Sequence, residues 1–136
     1  MRKKLLVALI GLVVLTGCKK IKENIQEDLV IKAMTDGQWR VSSFTRGSEN
    51  KTADFSPYRF QFRSNKTVEA INNGTTEKTG TWEADPNTRT ITSNFSNATA
   101  TVMLLNGTWR ITNNSWDFVE AMQTVNNEVL KLRLDK

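Results

Sequence analysis

"YRFQFR", residues 58–63, sets Tyr58, Phe60 and Phe62 against Arg59, Gln61 and Arg63 in strict alternation. Apolar and polar residues taking turns over six positions describe a strand with one face buried and the other wet. The same period of two appears on both sides of this stretch. Trp39, Val41 and Ser43 alternate with Arg40 and Ser42, and Val68 and Ala70 follow the polar turn Ser64-Asn65-Lys66. Gly80, Trp82 and Ala84 alternate with Thr79, Thr81 and Glu83, and Ile91 and Phe95 share one side of a Thr-rich segment. Near the end, Leu130, Leu132 and Leu134 all fall on one face.

Turn chemistry separates these segments. Asn72-Asn73-Gly74 and Asn126-Asn127 suit tight hairpins, whose central residues need positive φ. In Asp85-Pro86-Asn87 the proline fixes φ while its neighbours bond to the local backbone. Asn113-Asn114 divides Thr108–Thr112 from Ser115–Met122, which would present Trp109 and Ile111, then Trp116 and Phe118. Ser96–Asn106 has no clear period and reads as a loop around the apolar run 102–105. Eight strands at hairpin spacing predict an all-β meander, and closure into a small up-and-down antiparallel barrel removes the exposed edges that invite aggregation.

Three of the four tryptophans follow a Gly-x pair: Gly37-Gln38-Trp39, Gly80-Thr81-Trp82 and Gly107-Thr108-Trp109. Their separations, 43 and 27 residues, define no repeat, so the units read as strand starts.

The N-terminus is of a different kind. Met1-Arg2-Lys3-Lys4 precedes the apolar run Leu5–Leu15 and then Thr16-Gly17-Cys18, the order of a secretory signal. The apolar run falls short of the roughly 20 residues a membrane-spanning helix needs. Leu15-Thr16-Gly17-Cys18 resembles a bacterial lipobox, which implies cleavage before Cys18 and diacylation of its thiol. Two or three acyl chains, at about 0.8 kcal/mol per buried CH₂, hold a protein to a bilayer permanently. Cys18 is the only cysteine, so no intramolecular disulfide is available.

The expected organisation is a signal peptide over 1–17, a lipidated tether with a short helix over 18–36, and the barrel over 37–136. Within the tether, Ile21, Ile25, Leu29 and Ala33 at i, i+4 spacing make one apolar stripe, and Asp36-Gly37 supplies a stop. That stripe suits either a partner's surface or the domain's own core.

At this point the chain resembles the lipocalin-like lipoproteins common in Bacteroidetes. The residues that carry the resemblance are Gly37-Gln38-Trp39 and Asp54-Phe55 before Tyr58-x-Phe60-x-Phe62. Gly80-Thr81-Trp82, Trp109-x-Ile111 and Leu130-x-Leu132-x-Leu134 complete it. The resemblance implies that Trp39, in the Gly37-x-Trp39 unit, closes one end of the barrel beneath Arg133 (or Lys131). It also implies a small apolar or amphipathic ligand inside. The candidate lining is Tyr58, Phe60, Phe62, Trp82, Ile91, Trp109, Phe118 and Leu132. Lys19 after the lipidated cysteine resembles the sorting pattern for outer-membrane delivery. The basic 19–22 run, without an acidic export signal, points to the periplasmic face.

Composition removes other classes. The formal charge of +5 includes Arg2, Lys3 and Lys4; without them 16 basic and 14 acidic side chains leave +2. No dense basic patch interleaves with aromatics, so nucleic acid is not an expected partner. The chain has no histidine, which removes Ser/His and Cys/His nucleophiles and His-based metal sites, and no cofactor is expected. Glu69 and Glu77 could face one another across the Asn73-Gly74 turn, but like charges on a wet sheet face are the better explanation. The expected function is therefore non-catalytic. Eight strands leave room either for packed interior side chains or for one small ligand. The second outcome, a carrier of a small apolar or amphipathic ligand, is the leading expectation, and the first, a lipoprotein that recognises a protein or glycan on its surface, is the alternative.

Overall fold

The computed structural model describes residues 27–136; Cys18 and the lipobox lie outside them, as do Ile21 and Ile25. Helix α1 (residues 27–35) leads into the sheet. The strands are β1 (Arg40–Arg46), β2 (Glu49–Asn50), β3 (Tyr58–Phe62), β4 (Thr67–Asn72) and β5 (Thr75–Asp85). They continue with β6 (Thr90–Asn94), β7 (Gly107–Asn114), β8 (Phe118–Val125) and β9 (Glu128–Asp135), with the short helix α2 (Ala100–Met103) between β6 and β7. All neighbours are antiparallel, in the order β2-β1-β9-β8-β7-β6-β5-β4-β3. The eight long strands are those that turn spacing predicts; β2 is a two-residue addition.

The sheet curls into a half-barrel whose ends meet at one bridge, where Trp39 and Phe60 exchange backbone hydrogen bonds of 2.9 and 2.8 Å. Beyond that bridge β1 and β3 diverge for a local reason. The Phe44 amide donates to the Thr52 hydroxyl at 3.0 Å, and the Lys51 amide to the Phe44 carbonyl at 2.8 Å. A 3-10 turn over Thr52–Phe55 follows and drops Phe55 into the gap, with its ring centroid 5.2 Å from that of Phe44.

The hairpin turns obey the local chemistry. Asn73-Gly74, with φ of 48° and 85°, joins the pair Asn72 and Thr75. Asn126-Asn127, with φ of 50° and 66°, joins Val125 and Glu128. Both are two-residue loops with two positive φ angles, the turn whose twist matches that of the flanking strands. Gly37 takes the left-handed conformation, φ +80°, just after α1.

Three expectations need correction. The β7–β8 turn falls at Ser115-Trp116-Asp117, starting two residues past the start of Asn113-Asn114, because β7 runs on through a bulge near Thr112. In consequence Val119 and Ala121 point inward, while Phe118 and Trp116 do not. The residues 96–106 are not all loop: Thr99 caps α2 by accepting from the Val102 amide, and Val102 is buried. On α1 the buried face is Met34, with Val30 and Ile31 packed beside it, and Leu29 is 48% exposed. Steps of four residues advance about 40° beyond a full turn, so an i, i+4 series walks around the helix away from the face that packs.

Candidate functional site

Inside the barrel β3 supplies Tyr58, Phe60 and Phe62, β4 Val68 and Ala70, and β9 Leu130, Leu132 and Leu134. Phe62 meets Trp82 edge-on at 5.3 Å, Phe44 meets Trp109 edge-on at 5.9 Å, and Tyr58 stacks with Phe60 at 6.0 Å. Such offset and edge contacts add about 0.5–1.5 kcal/mol each beyond area burial. α1 lies across one mouth and inserts Met34; Phe55 and Val102 close the other side of the core.

Between these side chains lies a cavity of about 30 Å³, lined by Met34, Phe60, Phe62, Ile91, Ser93, Leu105, Trp109, Ile111, Val119, Ala121, Leu132 and Leu134. That is space for a water molecule. Pockets for small molecules run to roughly 300–1,000 Å³. Of the predicted lining, Phe60, Phe62, Ile91, Trp109 and Leu132 do meet at this cavity. Tyr58 and Trp82 are buried but stand away from it, and Phe118 lies outside, beneath the Arg133 guanidinium at 4.4 Å from its ring. The candidate lining missed Met34, Val119 and Ala121, and also left out Ser93, Leu105, Ile111 and Leu134. Val119 and Ala121 share the alternation of β8 once its turn is placed correctly. For Met34 the signal was the Val30-Ile31-Met34 spacing.

The three Gly-x-Trp units perform one common task. Each buried indole N–H donates at 2.9 Å to a backbone carbonyl: Trp39 to Met34 at the end of α1, Trp82 to Arg63 at the β3–β4 turn, and Trp109 to Leu105 after α2. A buried indole needs such a partner, and here the partner is always a connecting segment held against the sheet. Trp39 directly precedes β1 and Trp109 sits near the start of β7, but Trp82 lies well inside β5. Its unit is therefore not a strand start. Gly80 serves a close approach instead: a Cβ there would stand 2.4 Å from the Asn94 carbonyl oxygen and 2.8 Å from the Phe95 ring.

The cation over Trp39 is Lys136, its Nζ 5.0 Å from the ring centroid, and neither Arg133 nor Lys131. Arg133 faces the outer wall, where it bonds Glu120 at 2.7 Å and Asp135 at 2.9 Å. The hydrogen bond from Arg133 holds the Asp135 carboxyl below its ordinary range, assisted by the Ser42 hydroxyl. Burial pushes the Tyr58 phenol up, and its hydroxyl donates to Glu77 at 2.7 Å. Glu69 instead pairs with Arg63 at 3.0 Å. Glu77 sits in the β5 bulge, so the two carboxylates form no facing pair. Among the described residues no group of three potential metal ligands gathers, and no helix is long and apolar enough to cross a membrane, a statement that bears on helices alone.

The fold and interior define a class: an up-and-down antiparallel half-barrel with a packed core and a helical plug. The crystal structure of a DUF4847 family protein from Bacteroides vulgatus shares this fold with a TM-score of 0.55. The two are 17% identical, and the match covers 78% of this chain and 96% of the other. That similarity concerns the fold alone. No family model and no curated protein matches the chain's sequence.

Proposed function

We propose that this chain is a non-catalytic lipoprotein, held by acyl chains on Cys18 to the outer membrane and facing the periplasm, whose solid barrel presents its outer surface to a protein or glycan. The observation that carries this reading is the interior: aromatic rings and Met34 leave a cavity of about 30 Å³, an order of magnitude below a ligand pocket. The lipobox residues Leu15-Thr16-Gly17-Cys18 support the anchor, and the lack of histidine supports the absence of catalysis.

The ligand-carrier reading keeps one observation in its favour. The cavity is apolar except for Ser93, and Met34 of α1 fills part of it from outside the sheet. A ligand would have to displace that plug. Purifying the full chain from membranes, extracting lipid and weighing both fractions by mass spectrometry tests the choice. The expected result is covalent acyl mass on Cys18 with no stoichiometric free lipid, and no saturable uptake of an apolar naphthylamine fluorophore. One-to-one probe binding that strengthens in Met34→Ala would restore the ligand carrier. Absence of acyl mass would remove the anchor.

A further inference from the structure

The fourth tryptophan does none of the work of the other three. Trp116, in the Ser115-Trp116-Asp117 turn between β7 and β8, is 53% exposed, and among the described residues its indole has no hydrogen-bond partner. It stands at the barrel end that α1 covers. Leu29, also exposed, and Val30 of α1 share a surface hollow of about 300 Å³ with Pro86, Arg89, Ile111 and Asn114, two residues before Trp116. The floor of that hollow is mostly apolar.

The tether leaves from the same rim. Glu27, the first helical residue, lies 3.7 Å from Lys66 of the β3–β4 turn and beside the β5–β6 turn. Only residues 19–26 separate it from Cys18. Nine peptide steps reach at most about 32 Å, and eight-residue strands stand about 26 Å tall. The opposite end could approach an anchoring bilayer only with the tether drawn taut along the wall, which costs chain entropy.

We propose that the α1-covered end of the barrel rests on the membrane, with Trp116 and Leu29 seated at the boundary of headgroups and acyl chains. The proposal rests on acylation of Cys18. An indole with an apolar body and one polar tip suits that boundary. Charge does not drive the contact: Lys32, Lys66, Arg89 and Lys136 on this end are offset by Glu27, Asp28, Asp36, Asp85 and Asp117. Zwitterionic lipid therefore suffices, and salt has little effect.

Because Trp39, Trp82 and Trp109 are buried, Trp116 dominates any signal that depends on access from outside. The full acylated chain is reconstituted in phosphatidylcholine vesicles with and without brominated acyl chains, and acylation is read separately by mass. The expected results are quenching by brominated lipid, weaker quenching by aqueous acrylamide than in detergent-free Cys18→Ala, and loss of both effects in Trp116→Phe. Leu29→Asp should reduce lipid quenching, while Val125→Asp, in the β8–β9 hairpin at the far end, leaves it unchanged. An acylated, vesicle-bound protein whose Trp116 stays open to acrylamide and untouched by brominated lipid overturns the docking and leaves the anchor standing. A chain without acyl mass overturns the anchor, and the docking with it.

Discussion

The two halves of the barrel wall are built from different materials. From Trp39 to the end of β5 the core is chiefly aromatic: Trp39, Phe44, Phe55, Phe60 and Trp82 are almost wholly buried. From β6 to β9 it is chiefly aliphatic, with Ile91, Val119, Ala121, Leu130, Leu132 and Leu134, and Phe95 after β6 and Trp109 of β7 are its two buried rings. The residual cavity is lined mainly by the aliphatic half. Rings reach across a narrow barrel and touch one another, whereas Val119 and Ala121 on adjacent inward positions stop short of the centre. The asymmetry locates both the strength of the fold and a place of slack.

The largest expected effect comes from Trp39→Ala. It removes a fully buried ring, the hydrogen bond to Met34 that holds α1, and packing at the closing bridge. The loss should lie at the top of the roughly 3–5 kcal/mol expected for a buried aromatic, which is much of the about 5–15 kcal/mol a small domain has. Denaturant unfolding measures it; a loss below about 1 kcal/mol contradicts the burial.

Next comes the direct contrast between halves. Phe44→Ala should cost about 3–5 kcal/mol, since its ring packs against Phe55 and edge-on against Trp109 away from the cavity, and Leu132→Ala nearer 2 kcal/mol, since one side already faces empty space. Equal losses in paired unfolding curves would mean that the halves are equally well packed.

Smaller effects sharpen the same picture. Lys136→Ala should cost about 0.5–1 kcal/mol through its contact over Trp39, with Arg133→Ala leaving Trp39 emission unchanged. Ala121→Val places two methyl groups toward the cavity and should be neutral or stabilising by less than about 1 kcal/mol. A clear destabilisation would show that the slack is not accessible from β8.

The smallest effect is a pH dependence on the outer wall. The Asp135 carboxyl is held below its ordinary range chiefly by the hydrogen bond from Arg133. A depressed folded value contributes stability that is complete above the unfolded value, near 4, and is lost as pH falls through the lower folded one. Asp135→Asn should therefore cost stability at neutral pH, and its curve should converge on that of the native chain in acid. Parallel curves down to low pH would remove the Arg133–Asp135 bond as a stabilising element.

What the sequence determined by itself was whatever depends on near neighbours. Alternation in 58–63 and 130–134 fixed which residues face inward, and Asn73-Gly74 and Asn126-Asn127 fixed two hairpins, because positive φ is a property of those residues and not of their surroundings. Strand number followed from the turns. Only the tertiary structure decided the rest. The bulge in β7 moved a turn and reversed Phe118, since a shift by one residue exchanges the two faces of a strand. The face of α1 was set by the mouth it covers. Lys136 reached Trp39, and Arg133 did not, because Arg133 projects to the outer wall, where Glu120 and Asp135 hold it. A filled interior could not be read from eight apolar faces taken singly, because occupied volume is a sum over side chains that meet only once the sheet has curled.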